Sequence, residues 1–206
     1  MTATAPATDV WVERFTGARS QLPGGGRVAA RRDAAMADLT ATGFPTQRHE
    51  SWLYTSLAPL VETPFESAPP LEDEALDRAA TLLGDLPPAE DGVVRRVLVD
   101  GRLAPTLGSP DEPPEGLEIR GLAEALAAGD ADLETRLGTL VDGRGHAVAA
   151  LNTALFEDGV LVRVRAGTRI PAPIELVFLA AGDDAPRAVH PRLVYVVEEN
   201  AQLAVV

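Results

Sequence analysis

After Gly159 the chain loses its helical period, and this change limits its fold more than any other feature. Val160-Leu161-Val162-Arg163-Val164-Arg165, Ile174-Glu175-Leu176-Val177-Phe178-Leu179 and Leu193-Val194-Tyr195-Val196-Val197 are short β-rich runs, broken by Gly167, Pro171, Pro173, Gly182 and Pro191. No segment of helix length separates one run from the next. A βαβ sheet is therefore disfavoured, and a barrel, a sandwich or a stacked β-solenoid is favoured. A fourth run, Gln202 to Val206, is only starting when the sequence stops. The expectation is the front portion of a longer protein.

Ahead of Gly159 the pattern is mostly helical. Trp11, Phe15, Ala18 and Leu22 form one apolar stripe behind a cap at Asp9, and Pro23-Gly24-Gly25-Gly26 stops it. A second helix is expected from Val28 to Leu39. Pro45, Pro59, Pro64, Pro69 and Pro70 make residues 43–70 an irregular or briefly helical connection, and a third helix follows over Leu71 to Leu83. Val93 to Val99 reads as a strand turning at Asp100-Gly101 into Arg102-Leu103, with a loop from Pro105 to Pro114. Leu117 to Ile119 is a short strand, and Leu122 with Leu126 a brief helix closed by Gly129. Leu133, Leu137, Leu140 and Val141 give another helical stripe, and Val148, Leu151 and Leu155 a last one ending before Asp158-Gly159.

Composition removes several functions. The formal net charge is −13, and all 18 basic residues are Arg scattered along the 206-residue chain, so a phosphate backbone would be repelled and nucleic-acid binding is not expected. No apolar run reaches the roughly 18 residues of a membrane span, and the first residues lack a basic and apolar leader. A soluble cytoplasmic protein is expected, with no membrane partner. With no Cys, the chain has no disulfide, thiolate nucleophile or Cys-ligated metal of its own.

The candidates for chemistry are sparse. His49 has Glu50 beside it, His146 opens a helix, and His190 precedes Pro191 without a second His at ligand spacing. A structural role is expected for each. Gly24-Gly25-Gly26-Arg27 precedes a helix but has no strand before it and no Lys, and Gly143-Arg144-Gly145 is equally unspecific. The acidic pairs Asp111-Glu112, Asp183-Asp184 and Glu198-Glu199 are expected to be solvated surface. Only five Phe, two Trp and two Tyr are present, yet Phe44, Trp52 and Tyr54 cluster beside Arg48 and Glu50. Such a cluster suggests an anchor where helices dock, or else a partner-binding hot spot. As a buried anchor, Trp52→Ala would cost about 3 to 5 kcal/mol. No catalytic, cofactor-binding or metal-ligating residue is assigned, and the chain is expected to be non-enzymatic and to hold no cofactor.

At these residues a family resemblance enters. The segment Gly43-Phe44-Pro45-Thr46-Gln47-Arg48-His49-Glu50-Ser51-Trp52-Leu53-Tyr54-Thr55-Ser56-Leu57 resembles the GFPTRRHEEWKYTSL stretch of the SufB/SufD family of iron–sulfur cluster assembly proteins, in its SufD-like branch. Gln47, Ser51 and Leu53 depart from it. Val97-Leu98-Val99-Asp100-Gly101-Arg102-Leu103 is similar to the strand and turn that follow. Asn152-Thr153-Ala154-Leu155-Phe156-Glu157-Asp158-Gly159-Val160 resembles the entry to the family's β-core, and His190-Pro191-Arg192-Leu193 its continuation.

The resemblance implies a non-catalytic scaffold subunit, with SufB-like and SufC-like (ATPase) subunits as partners in a cytoplasmic complex that builds clusters for apoproteins. It implies an α+β chain, an N-terminal helical region followed by the first coils of a right-handed parallel β-helix, truncated at Val206. The expected parts are 1–90 helical, 91–158 mixed and connecting, and 159–206 an incomplete β-helix core. Residues contacting iron or cluster, and the helices that dock the ATPase, would lie beyond Val206. Two other classes stay open: a small-molecule-binding β-barrel module, and a carbohydrate-active β-helix protein.

Overall fold

A computed structural model describes residues 8–109, 112–141, 143–182 and 185–206. In chain order the elements begin with α1 (Asp9–Ala18), α2 (Gly26–Thr42), a 3₁₀ turn (Glu50–Trp52), α3 (Ala58–Glu62), β1 (Glu66–Ser67) and α4 (Asp73–Gly84). Next come β2 (Val94–Val99), β3 (Arg102–Gly108), β4 (Leu117–Gly121), α5 (Leu122–Ala127), α6 (Ala131–Arg136) and α7 (Ala147–Leu155). The chain continues through β5 (Gly159–Val164), β6 (Ile174–Leu179), β7 (Arg187–Ala188) and β8 (Arg192–Val197). The class is α+β, with small sheets.

The chain divides into two compact units, one made of Met1–Phe65 with Gly129–Phe156, the other of Glu66–Ala128 with Glu157–Val206. In the first, α2 buries Val28, Arg32, Ala35, Met36 and Leu39, a stripe at helical spacing with an arginine at one core position. That stripe packs on α7, whose Ala147, Ala150 and Ala154 are small enough for close helix approach. α1 adds Trp11 and Phe15, and Trp11 meets Phe65 with ring centroids 6.2 Å apart. Leu39 has no exposed surface; a side chain buried so completely contributes roughly 1.5 to 3 kcal/mol over its exposed state.

Two adjacent arginines on α2 each close a different helix. Arg31 donates to the Glu134, Thr135 and Leu137 carbonyls at the end of α6, while Arg32 donates to Ala154 O at the end of α7 at 3.0 Å and to Pro23 O at 2.9 Å. The Arg32 guanidinium also lies 3.5 Å from the centre of the Phe156 ring. A cation suits this place because the last carbonyls of a helix lack partners and carry partial negative charge.

In the second unit, β2 pairs with β3 antiparallel and with β6 parallel, giving the order β3-β2-β6. A second sheet, β4-β5-β8, is antiparallel between β4 and β5 and parallel between β5 and β8. The short β1 and β7 pair in parallel. Leu98, Val160, Val162, Val164 and Ile174 form one core, with Leu117 and Ile170. Val97, Val99, Ala104 and Ala181 form another around Ala79 of α4. Because Val97 and Val99 serve one core and Leu98 the other, both faces of the second half of β2 are covered, and these three residues are apolar without a break.

The structure corrects several expectations. The stripe from Leu133 to Val141 is not one helix: α6 ends at Arg136, Leu137 turns extended with ψ 121, and Leu140 is 98% exposed. Arg31 takes the carbonyls that a further turn would have used. The loop expected from Pro105 is strand as far as Gly108, since Pro105 sits on β3, an edge strand where a missing N–H is tolerated. Asp9 lies inside α1, and Thr8 is the N-cap. The connection 43–70, by contrast, is briefly helical as expected, at the 3₁₀ turn and the short helix α3. The run from Gln202 makes two isolated parallel bridges, Arg169 to Gln202 and Ile174 to Val205, rather than a strand.

Candidate functional site

The aromatic segment is a surface. Among residues 43–57 none is buried: Phe44 and Trp52 are half-buried, Leu53 is 50% exposed and Tyr54 94% exposed. Pro45 and the 3₁₀ turn keep the segment out of a regular helix, so it has no apolar stripe to bury. Trp52 leans on His146, with ring centroids 5.7 Å apart and planes at 59°. The buried-anchor expectation for this segment is therefore corrected, because a residue still open to water loses less on truncation. Trp52→Ala should cost about 1 to 2 kcal/mol rather than the full value.

The three imidazoles are dispersed. His49 Nδ1 accepts from Thr46 N–H at 3.1 Å, a local turn contact rather than a pair with Glu50. His146 caps α7, its Nδ1 accepting from Ala149 N–H at 3.4 Å. His190 lines a narrow cleft of the second unit with Ala68, Asp100, Gly101, Arg102, Glu157 and Asp158. Among the described residues no three His, Asp or Glu side chains converge as a metal ion would require. Gly24-Gly25-Gly26 leads into α2, whose N-cap Gly25 offers no side chain. Gly143-Arg144-Gly145 leads into α7, and Gly145 N–H donates to Asp38 at 3.2 Å.

That cleft gathers side chains that belong to no sequence motif. Asp158, 9% exposed, accepts from Leu103 N–H at 3.0 Å with one carboxylate oxygen and from Ala123 N–H at 2.9 Å with the other. It thereby ties β3, the first turn of α5 and the entry to β5. Arg102 pairs with Glu157. Asp100, in a left-handed turn with φ 47, accepts from Ala181 N–H at 3.1 Å. Across the parallel pair β2 and β6, Arg95 grips Glu175 through two contacts of 2.5 and 3.2 Å. These groups hold backbone and each other. The signal for Asp158 was present as an Asp between a helix and a strand, but its partners lie far away in sequence.

The acidic pairs divide. Asp111 and Asp183-Asp184 lie outside the described residues, while Glu198 accepts from Ala166 N–H at 2.9 Å and so secures a turn. Elsewhere, Arg19 and Asp33 form a fork at 2.5 and 2.6 Å, which holds the Asp33 carboxyl below its ordinary range and the guanidinium above its own. Burial pushes Arg96 and Arg192 down and Tyr195 up. Among the described residues no helix is long and apolar enough to cross a membrane.

Residues 24–176 match the family described as the SufBD protein N-terminal region. An iron–sulfur cluster assembly SufBD family protein of Synechocystis is 32% identical over 175 residues, which are 85% of this chain and 37% of that protein. The iron–sulfur cluster assembly protein SufD of Escherichia coli is 34% identical over 100 residues, 45% of this chain and 22% of that protein. The matched region includes both the exposed segment 43–57 and the Asp158 tie.

Proposed function

Since the chain belongs to the SufBD family, we propose that it is the N-terminal part of a non-catalytic scaffold subunit for iron–sulfur cluster assembly. Its partners on this reading are a SufB-like subunit and a SufC-like ATPase, in the cytoplasm. The observation that carries it is the match of residues 24–176 to the family's N-terminal region. The side-chain chemistry of the second unit is in keeping with it: Asp100, Asp158, Arg95 and Arg102 are engaged with backbone or with one another, as in a rigid support. The chain spans 37% of the Synechocystis protein and 22% of the Escherichia coli protein, so contacts to nascent cluster are proposed for other parts of the subunit. The cluster is cargo, and no residue here is assigned to it.

A β-helix continuation belongs to the same proposal. Gly159 to Val164 lie opposite Arg192 to Val197, and Arg169 lies opposite Gln202 at the same sequence offset. Ile174 lies opposite Val205, an offset shorter by two residues. One stretch of chain stacked in parallel on the next, through strand and corner alike, supports a coil repeating along an axis.

The test is reconstitution. Anaerobic iron and sulfide should leave this chain colourless, while the full subunit co-purified with its SufB-like and SufC-like partners should acquire cluster absorbance. Stoichiometric cluster on the chain alone, or failure of the full subunit to co-purify with either partner, would overturn the proposal.

A further inference from the structure

We propose that His146 is a proton-sensitive latch between the surface segment 43–57 and the start of α7. One ring serves two neighbours: Nδ1 accepts from Ala149 N–H at 3.4 Å, and the ring lies 5.7 Å from the indole of Trp52. Only the neutral imidazole can accept at Nδ1, and imidazole is the side chain that changes charge between pH 5 and 8. Once protonated, the ring faces Ala149 as donor against donor and brings a positive charge to the positive end of the helix. Both effects move it off the cap. The indole face attracts an imidazolium, so the ring's favoured place shifts from the helix end toward Trp52. No residue of 43–57 is buried, so no core contact fixes Trp52 against the ring it leans on.

The charged groups on the elements that meet there are few. Arg48 and His49 precede the turn that carries Trp52, and Glu50 is its first residue. Asp38 on α2 accepts from Gly145 N–H, next to His146, and Arg144 precedes it on the loop.

The test follows amide and indole chemical shifts of the 206-residue chain from pH 8 to pH 5. The Ala149 amide and the Trp52 indole N–H should shift together with the His146 ring signals, at one midpoint. His146→Asn, which keeps a neutral cap acceptor, should abolish both shifts while the other α7 amides stay at their folded positions. His146→Ser provides the same comparison should the Asn variant fold poorly. His49→Asn should leave both shifts intact. A Trp52 indole that stays still while His146 titrates, follows His49 instead, or shifts as before in the His146 variants overturns the latch.

Discussion

At the scale of single residues, the most consequential side chain is one that composition alone would place on the surface. Arg32 is 1% exposed, and its charge is met by two carbonyls and the face of Phe156. Arg32→Ala would leave both carbonyls without this donor and remove a desolvated cation–π contact, so a loss of about 3 kcal/mol is expected. Arg32→Lys should recover little of it, since an ammonium cannot present the same planar fork. Urea midpoints of the two variants against the parent decide the matter. Asp33 carries a pH signature. Its carboxyl is held down by the Arg19 guanidinium, so the pair's contribution is present at neutral pH and is lost as pH falls through the depressed Asp33 pKa. Carboxyl NMR titration should return Asp33 to the ordinary range in Arg19→Gln.

At the scale of elements, the parallel pairing of β5 with β8 depends on a residue without a side chain. Gly159 has φ 154, and a Cβ there would stand 1.8 Å from Arg192 O. Gly159→Ala forces the two strands apart at the first rung, with an expected cost of about 3 kcal/mol or more. Amide exchange should show β5 and β8 losing protection while α2 and α7 keep theirs. Native-like protection of Val160 to Val164 in that variant would refute the argument. The Asp158 tie works at the same scale: Asp158→Ala strands the Leu103 and Ala123 N–H groups, costing about 2 to 4 kcal/mol by thermal or urea unfolding.

At the scale of the molecule, apolar side chains of the β8 region stay open to water. Tyr195 is 42% exposed, Val197 46%, Val205 38% and Val206 71%. Exposed apolar groups on strand and bridge residues favour pairing with another chain, against the repulsion of a net charge of −13. Light scattering should show concentration-dependent association that weakens in Val197→Glu combined with Val205→Glu. A parent chain that stays monomeric at high concentration would remove the idea.

Much of this protein was legible along the chain because local spacing carries it. The stripes of α1 and α7 and the β-rich runs after Gly159 follow from the 3.6 or 2.0 period of side-chain direction, and the Asp100-Gly101 turn from its own two residues, all of which neighbouring residues determine. The motif around Trp52 likewise identified the family without any geometry. Where the stripe from Leu133 to Val141 misled, Gly138 inside it was the sequence signal for a stop, but the cation that takes the freed carbonyls comes from Arg31 on α2. What only the tertiary structure decided is the set of contacts between residues far apart in sequence: Arg31 and Arg32 at the ends of α6 and α7, Asp158 on Leu103 and Ala123, Arg95 on Glu175, and the exposure of Tyr54. The physical reason is range. Periodicity reports which face of an element is apolar, whereas burial of a charge, or exposure of an aromatic ring, depends on which distant segment arrives to cover it.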